Sequence, residues 1–345
     1  MKIYEPGIEI FPLPESTDKT VVYKHLEKIG RVCYKSEDKI DINTAFKFLR
    51  MLKERKHWAM LEHYIFTFEV PEETYFDIIH PARFTSANAD LVSKMPFIKY
   101  TMDSELNELT EETESRCLIS ASATALNYLW ECECYKNGIN DGLVQLCVFM
   151  EHMYPEIMKD PSNIPLGQRL INQDIRLVSH HELSKMSNNT RLIHDSATVK
   201  FTVDRGVTHE LVRHRPCSWA QESTRYCNYS GELGVINPSF FTIDSPKRRA
   251  WAKSVGVAQK IYNDLLSFGA TPQEARSVLP NSTKAEIIMT ASLMEFRHFF
   301  KMRADRAAHP QMREVVVPLL KTFITLYPGM FDDLEYLTED YNNGT

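Results

Sequence analysis

The chain has 345 residues, 43% of them hydrophobic and 25% charged, with a formal net charge of −6. That length holds one large domain or two ordinary ones, with ample apolar material for a core. The acidic balance excludes nucleic-acid binding by overall electrostatics, so any anion site has to be local.

The opening MKIYEPGIEI has no apolar signal core, and no run of 18 apolar residues occurs, so a cytoplasmic protein without a membrane anchor is expected. Cysteines 33, 117, 132, 134, 147, 217 and 227 form no paired framework and read as reduced thiols. Cys132-x-Cys134, followed by Cys147 and His152, lacks the second ligand pair of a zinc site, so no metal is expected.

VVYKHLEKIGRVCY spaces Val22, Leu26 and Ile29 as a helix, and NTAFKFLRMLKER repeats the pattern after a capping Asn43. HYIFTFEV alternates as a strand and stops at Pro71, and SATVKFTVDRG, residues 196–206, is a second strand of the same character. Residues 71–194 then read as an insertion between two neighbouring strands, mainly helical, with the acidic run DSELNELTEETESR and a helix over LISASATALNYLWE. In TPQEARSVLP, Thr271, Pro272 and Glu274 occupy the N-cap, N1 and N3 positions of a capping box, and Pro280 ends that helix. From a cap at Asn281 or Ser282, KAEIIMTASLMEFRHFFKMRADRAAH is predicted as one helix of about six turns. The amphipathic MREVVVPLLKTFITLY follows as the last helix. No internal repeat is visible, and the fold class expected is α+β.

The densest chemistry lies in RHRPCSWAQESTRY, residues 213–226. In extended chain Arg213 and Arg215 point to one side, as do Ser223 and Arg225. Guanidinium forks match phosphate and carbonyl oxygens, and hydroxyls complete a phosphate cradle. Glu210, Gln221 and Glu222 could read the N–H and C=O edge of a pyrimidine. A solvated basic face or a nucleic-acid patch would use the same residue types. Arg276 precedes apolar Val278 and Leu279, and Arg303 lies among Phe299, Phe300 and Met302. Ser292 and Arg303, eleven apart, would share a helical face with Phe296 and Phe299. An arginine there should be paired or bind a ligand, unless it snorkels at an interface.

The RHR triplet, seven spacers and Ser223 resemble the signature of the flavin-dependent thymidylate synthases. GRVCYKSEDKI, HWAMLEH, DRGVTHELVRHR, GATPQEARSVLPNSTKAEIIMTASL and RHFFKMRADRAAHPQMRE resemble successive blocks of that family, in order. The resemblance implies the family fold, a sheet flanked by long helices, over residues 1–70 and 195–338, with 71–194 inserted and 339–345 a tail. It implies a methyltransferase that makes dTMP from dUMP, with methylenetetrahydrofolate, NADPH and FAD, in a homotetramer and without a cysteine nucleophile. The implied dUMP contacts are Glu210, Arg213, Gln221, Glu222, Ser223, Thr224, Arg225, Arg276 and Arg303, the last also catalytic through the uracil edge. The implied FAD contacts are His57, Ala59, Arg213, His214, Arg215, Gln221, Ser292 and His298, and Cys33 takes the place of a flavin-contacting serine. Ala59, Ser292 and Met294 depart from the family's usual residues, which implies weaker FAD retention. The rival readings are a flavin- or nucleotide-binding relative without turnover, and an RNA-binding module built on 213–226.

Overall fold

The computed structural model describes residues 2–79, 98–106, 113–131, 141–160, 174–225 and 227–339. Cys132, Cys134, Tyr226 and most of the expected tail lie outside them. The first sheet has the order β2 (Gly7–Phe11), β7 (Ser196–Asp204), β10 (Lys284–Ser292), β8 (Ser218–Gln221). The second has the order β4 (Ile98–Leu106), β5 (Thr113–Ser122), β3 (Ile65–Val70), β6 (Arg176–Val178). All neighbours within both sheets are antiparallel. A ribbon of β1 (Lys2–Tyr4) parallel to β9 (Gly234–Ile236) stands apart.

The helices, in chain order, are α1 (Lys19–Tyr34), α2 (Thr44–Glu54), α3 (Glu72–Ile79), α4 (Ala123–Glu131), α5 (Asp141–Met153), α6 (His180–Leu183) and α7 (Asn188–His194). They continue as α8 (Arg205–Leu211), α9 (Pro246–Ser267), α10 (Pro272–Ala275), α11 (Leu293–Arg303), α12 (Pro310–Leu326) and α13 (Tyr336–Glu339). The mixed helix-and-sheet class matches expectation, and the Thr271–Glu274 capping box forms as predicted. Asn43 sits at the N-cap of α2, but its side chain makes no capping bond.

Three expectations are corrected. The six-turn helix expected from Lys284 is strand β10 followed by the shorter α11. Between β7 and β8, both faces of β10 are covered, so Ile287, Ile288 and Met289 need not alternate with polar residues. Likewise, Leu118–Ser122 of the predicted helix is the end of β5, and α4 starts at Ala123. Most consequentially, β3 and β7 do not pair. The partners of β3 are β5 and β6, both inside the supposed insertion, so β3 belongs with it and a sheet runs through a segment expected to be mainly helical.

The order of elements repeats among the described residues, although no repeat is visible in the sequence. Taken from its other edge, the second sheet is β6-β3-β5-β4, strand for strand the order β2-β7-β10-β8. The chain passes twice through the same series, strand, two helices, strand, helix, strand, strand, helix, helix. The second pass carries an extra segment holding β9, α9 and α10. Register agrees at the level of single residues. Thr67 faces Ser120 and Thr198 faces Thr290, with both hydroxyl pairs at 2.8 Å. On the neighbouring strand, Glu69 faces Arg176 and Lys200 faces Glu9, the same ion pair with signs exchanged. Ser122 and Ser292 each accept the amide three residues on, at 3.2 and 3.3 Å, and start α4 and α11. After the last helix of each pass, Tyr154 and Tyr327 close the same turns, with amides bonded to Met150 O and Phe323 O.

The two sheets meet through reciprocal bonds. His63, two residues before β3, reaches Thr290 of the first sheet (Nδ1···Oγ1 2.8 Å). His194, two residues before β7, reaches Ser120 of the second (Nδ1···Oγ 2.7 Å). Helix α1 lays Ile29, Val32 and Cys33 on Phe11, Ala220 and Ile288. In the matching place Leu183 of α6, with Met186 beside it, packs on Val178 and Leu118. Around α11 and α12 the core is aromatic, with Phe296, Phe299, Phe300, Phe323 and Phe331 fully buried. Each such side chain stabilises by roughly 1.5–3 kcal/mol, which makes α11 a rigid carrier for the arginine at its C-terminal end.

Candidate active site

Asp204 ends β7 and caps α8 by accepting the Val207 amide at 2.8 Å. That short helix brings Glu210 to the C-terminal end of α11, where Arg303 lies. The Arg303 guanidinium donates to Glu210 Oε2 and to the Glu210 carbonyl, both at 3.0 Å, and to His214 Nε2 at 2.8 Å. Arg303 is therefore paired, as an arginine on so apolar a helix has to be. Burial, reinforced by the Arg303 charge, pushes His214 down to about 4, so its Nε2 stays an acceptor at neutral pH. The ring is held by Phe299 at 5.1 Å, and the His214 carbonyl takes the Trp219 indole N–H at 2.9 Å.

Arg213 and Arg215, on either side of His214, are exposed, and among the described residues neither guanidinium makes a hydrogen bond or ion pair. Gln221 donates to Thr208 of α8 at 3.0 Å, which ties the end of the motif to the Glu210 helix. Further on, Arg276 donates to Thr224 Oγ1 at 3.4 Å, Arg225 Nε donates to Gln273 at 3.0 Å, and both arginines are exposed. Ser223 donates its amide to the Cys33 carbonyl at 3.1 Å, so the motif is pinned to the end of α1. The fold thus brings together Glu210, Arg213, His214, Arg215, Gln221 and Arg303, with Ser223, Thr224 and Arg225 continuing along the same loop and Arg276 reaching Thr224 from the turn after α10.

Glu222 does not join them. It is buried, with Lys35 Nζ at 2.6 Å from Oε1 and the Tyr229 hydroxyl donating to the same oxygen. Burial and that carboxylate push the Tyr229 phenol up. Its Oε1 is anchored by a cation and a donor, as burying a carboxylate requires, while Oε2 is buried with no hydrogen-bond partner among the described residues. Lys35 and Tyr229 went unnoticed in the sequence. The one local signal is the turn after α1, where Lys35 adopts φ 46°.

On the opposite side, the 3-10 turn Trp58–Glu62 follows His57 and touches β8, whose Ser218 hydroxyl donates to the Glu62 carbonyl at 3.4 Å. His57 shares a 2.7 Å bond between Nδ1 and the Tyr34 hydroxyl, and Ala59 is exposed. Ser292 is not on a helical face with Arg303 but at the N-cap of α11. His298 is exposed, its ring centroid 6.0 Å from that of His214. Cys33 is buried, with Sγ 3.5 Å from Met60 Sδ. A separate cavity of about 430 Å³ opens beyond Glu210, between α8 and α9, lined by Asp204, Trp251, Phe240 and His309 among others. No described group of His, Cys, Asp and Glu could hold a metal ion, and no described helix is long and apolar enough to cross a membrane.

A family model described as "Thymidylate synthase complementing protein" matches residues 148–329. The flavin-dependent thymidylate synthase of Corynebacterium glutamicum is 32% identical over 172 residues, 45% of this chain and 68% of the relative. That of Mycobacterium tuberculosis is 31% identical over 163 residues, 43% of this chain and 65% of the relative. Among solved structures, a UMP/dUMP methylase PolB from Streptomyces cacaoi bound with 5-Br UMP aligns over 44% of this chain and 77% of its own. Its identity is 21% and its TM-score 0.38, too low to carry an argument. On the family match and these relatives, the chain belongs to the flavin-dependent thymidylate synthase family, the thymidylate synthase complementing proteins.

Proposed function

We propose that the chain makes dTMP from dUMP, with methylenetetrahydrofolate as one-carbon donor, NADPH as reductant and FAD as cofactor. The observation that carries this reading is Arg303, set at the end of a rigid helix between Glu210 and a neutral His214, beside the unpaired Arg213 and Arg215. A guanidinium at the uracil edge stabilises negative charge on the ring oxygens and makes C5 more nucleophilic. Ser223, Thr224, Arg225 and Arg276 supply hydroxyls and cations for the phosphate.

The donor set fits a flavin. Two free guanidiniums suit a pyrophosphate or the electron-rich edge of a reduced ring, and exposed His298 and half-buried His57 flank the same loop from α11 and from the turn. Gln221 and Ser292 stand in this set with their polar groups already bonded, Gln221 to Thr208 and Ser292 to the Glu295 amide. When bound, the flavin carries the hydride from the reductant. The chain's own part is to bind, orient and keep His214 unprotonated. With Ala59 and Met294 exposed and the Ser292 hydroxyl committed to its helix, retention of FAD is weak.

The test is spectroscopic. Purified protein supplemented with FAD should show a protein-bound flavin spectrum that bleaches with NADPH, and should release dTMP from dUMP. Colour without bleaching selects the binding relative without turnover. The assembly follows the homotetramer of the resemblance, in the cytoplasm. The two-pass fold favours a second reading, in which two chains present the same number of sheets. Light scattering at four or two times 40.0 kDa separates them.

A further inference from the structure

We infer that the chain is an internal duplication whose two halves pack as a two-fold pair, with one live nucleotide site and one silent counterpart. The observations are the shared strand order, the shared series of elements and the reciprocal His63–Thr290 and His194–Ser120 bonds. Reciprocity of this kind, residue i meeting j while the counterpart of j meets the counterpart of i, is what a two-fold interface imposes. In each half the leading strand and its helices pack on the sheet of the other half. Thus β2 and α1 lie on the sheet of β7 and β10, and β6 and α6 lie on the sheet of β3 and β5. The candidate site is accordingly assembled from both halves. Cys33 and His57 come from the first, and the arginine motif and α11 come from the second.

The same symmetry locates the counterpart and shows what it lacks. Counting from the matched Ser292 and Ser122, Glu295 corresponds to Ala125 and His298 to Tyr128. Within 65–160, Arg116 is the one described arginine, and it pairs with Glu69 at 3.3 Å. With alanine and tyrosine at the described positions that match Glu295 and His298, the first half serves as structural partner, and one chain binds one nucleotide.

The paired histidines also differ in the partner of Nε2. His194 Nε2 has a partner, the Thr101 hydroxyl at 2.7 Å. His63 is fully buried, and its Nε2 has none among the described residues. Thr101 faces Leu118 on β5, and the residue facing the matched Ile288 on β10 is Ala220. The missing partner is a missing hydroxyl at the equivalent register position.

That the live site takes dUMP rests on the function proposed above, so two measurements are paired. Calorimetric titration of the full chain with dUMP should give one site per chain, lost in Arg303→Ala. Two sites per chain, or one that survives Arg303→Ala, would overturn the silent half. No binding by the native chain overturns the substrate reading and with it the live site, leaving the duplication to the second measurement. Thermal unfolding needs no ligand. Thr101→Ala should lower the Tm by removing the bond that only one half has, and Ala220→Ser should raise it by supplying that bond to His63. If Ala220→Ser leaves the Tm unchanged or lowers it, the equivalence of the two positions is wrong and the duplication falls.

Discussion

The two halves use one architecture for different ends. In the first, strand β5 runs into α4, and the matched positions carry the buried Ala125 and the exposed Tyr128. In the second, β10 runs into α11, and the same positions carry Glu295 and His298 ahead of Arg303. Backbone pairing, serine caps and hydroxyl pairs agree between them, whereas the charged side chains do not. A fold is held by burial and by hydrogen bonds within the sheets, which tolerate any outward residue. A site depends on a few outward residues and is lost when they change.

Removing residues 71–194 probes this comparison most severely. Seen as an insertion between paired strands, the segment ought to be dispensable. Because it holds both partners of β3, its deletion should leave β3 with two unpaired edges and expose the apolar surface around Phe66 and Phe68. The expected outcome is loss of cooperative unfolding and aggregation, read by circular dichroism and light scattering. A folded deletion protein that still binds dUMP would restore the insertion reading.

Arg303→Ala comes next. Turnover should fall by about 10²–10³-fold or more, as for loss of a donor that stabilises developing charge. Arg303→Lys should rescue poorly, since it keeps the charge but not the fork that serves Glu210 and His214 together. Wild-type kcat in the alanine variant would remove the residue from the chemistry.

Acid should act on the second half through His214. Its proton affinity is lowered from the ordinary 6.5 to about 4, so its contribution to stability is fully present above about 6.5 and is lost as the pH falls toward 4. Buried His25 and His63, lowered to about 4 and about 3, act in the same direction. The Tm should decline across that window, and less steeply in His214→Gln. An equal decline in the variant would place the effect elsewhere.

The smallest change expected is Cys217→Ser. The thiol is buried, and burial pushes its proton affinity up, so it offers no thiolate at neutral pH. Stability should drop by about 1 kcal/mol, within the range for a small buried substitution, with turnover largely kept. Complete loss of turnover in a folded, flavin-loaded variant would make Cys217 a nucleophile after all.

Local order was legible in the residues themselves. The capping box at Thr271–Glu274, the helix ending at Tyr34 and the strands starting at Ile65 and Ser196 follow from spacing and short-range bonds that neighbours in sequence decide. The arginine motif was legible for the same reason, since charge at that density needs a use. Whether Ile287–Met289 lie in a helix or a strand was not local, because two strands from distant sequence, paired to its two edges, decide it. Nor could the burial of Glu222 beside Lys35 and Tyr229 be read from the sequence, because the folded chain alone brings those groups to its Oε1. The duplication left only short echoes in the sequence, Ser120-Ala-Ser122 against Thr290-Ala-Ser292 and Tyr154-Pro155 against Tyr327-Pro328. Packing constrains volume and polarity, not identity, so two copies can diverge in nearly every side chain and keep one register. Only the reciprocal contacts of the folded chain, His63 to Thr290 and His194 to Ser120, make the two halves recognisable as one design used twice.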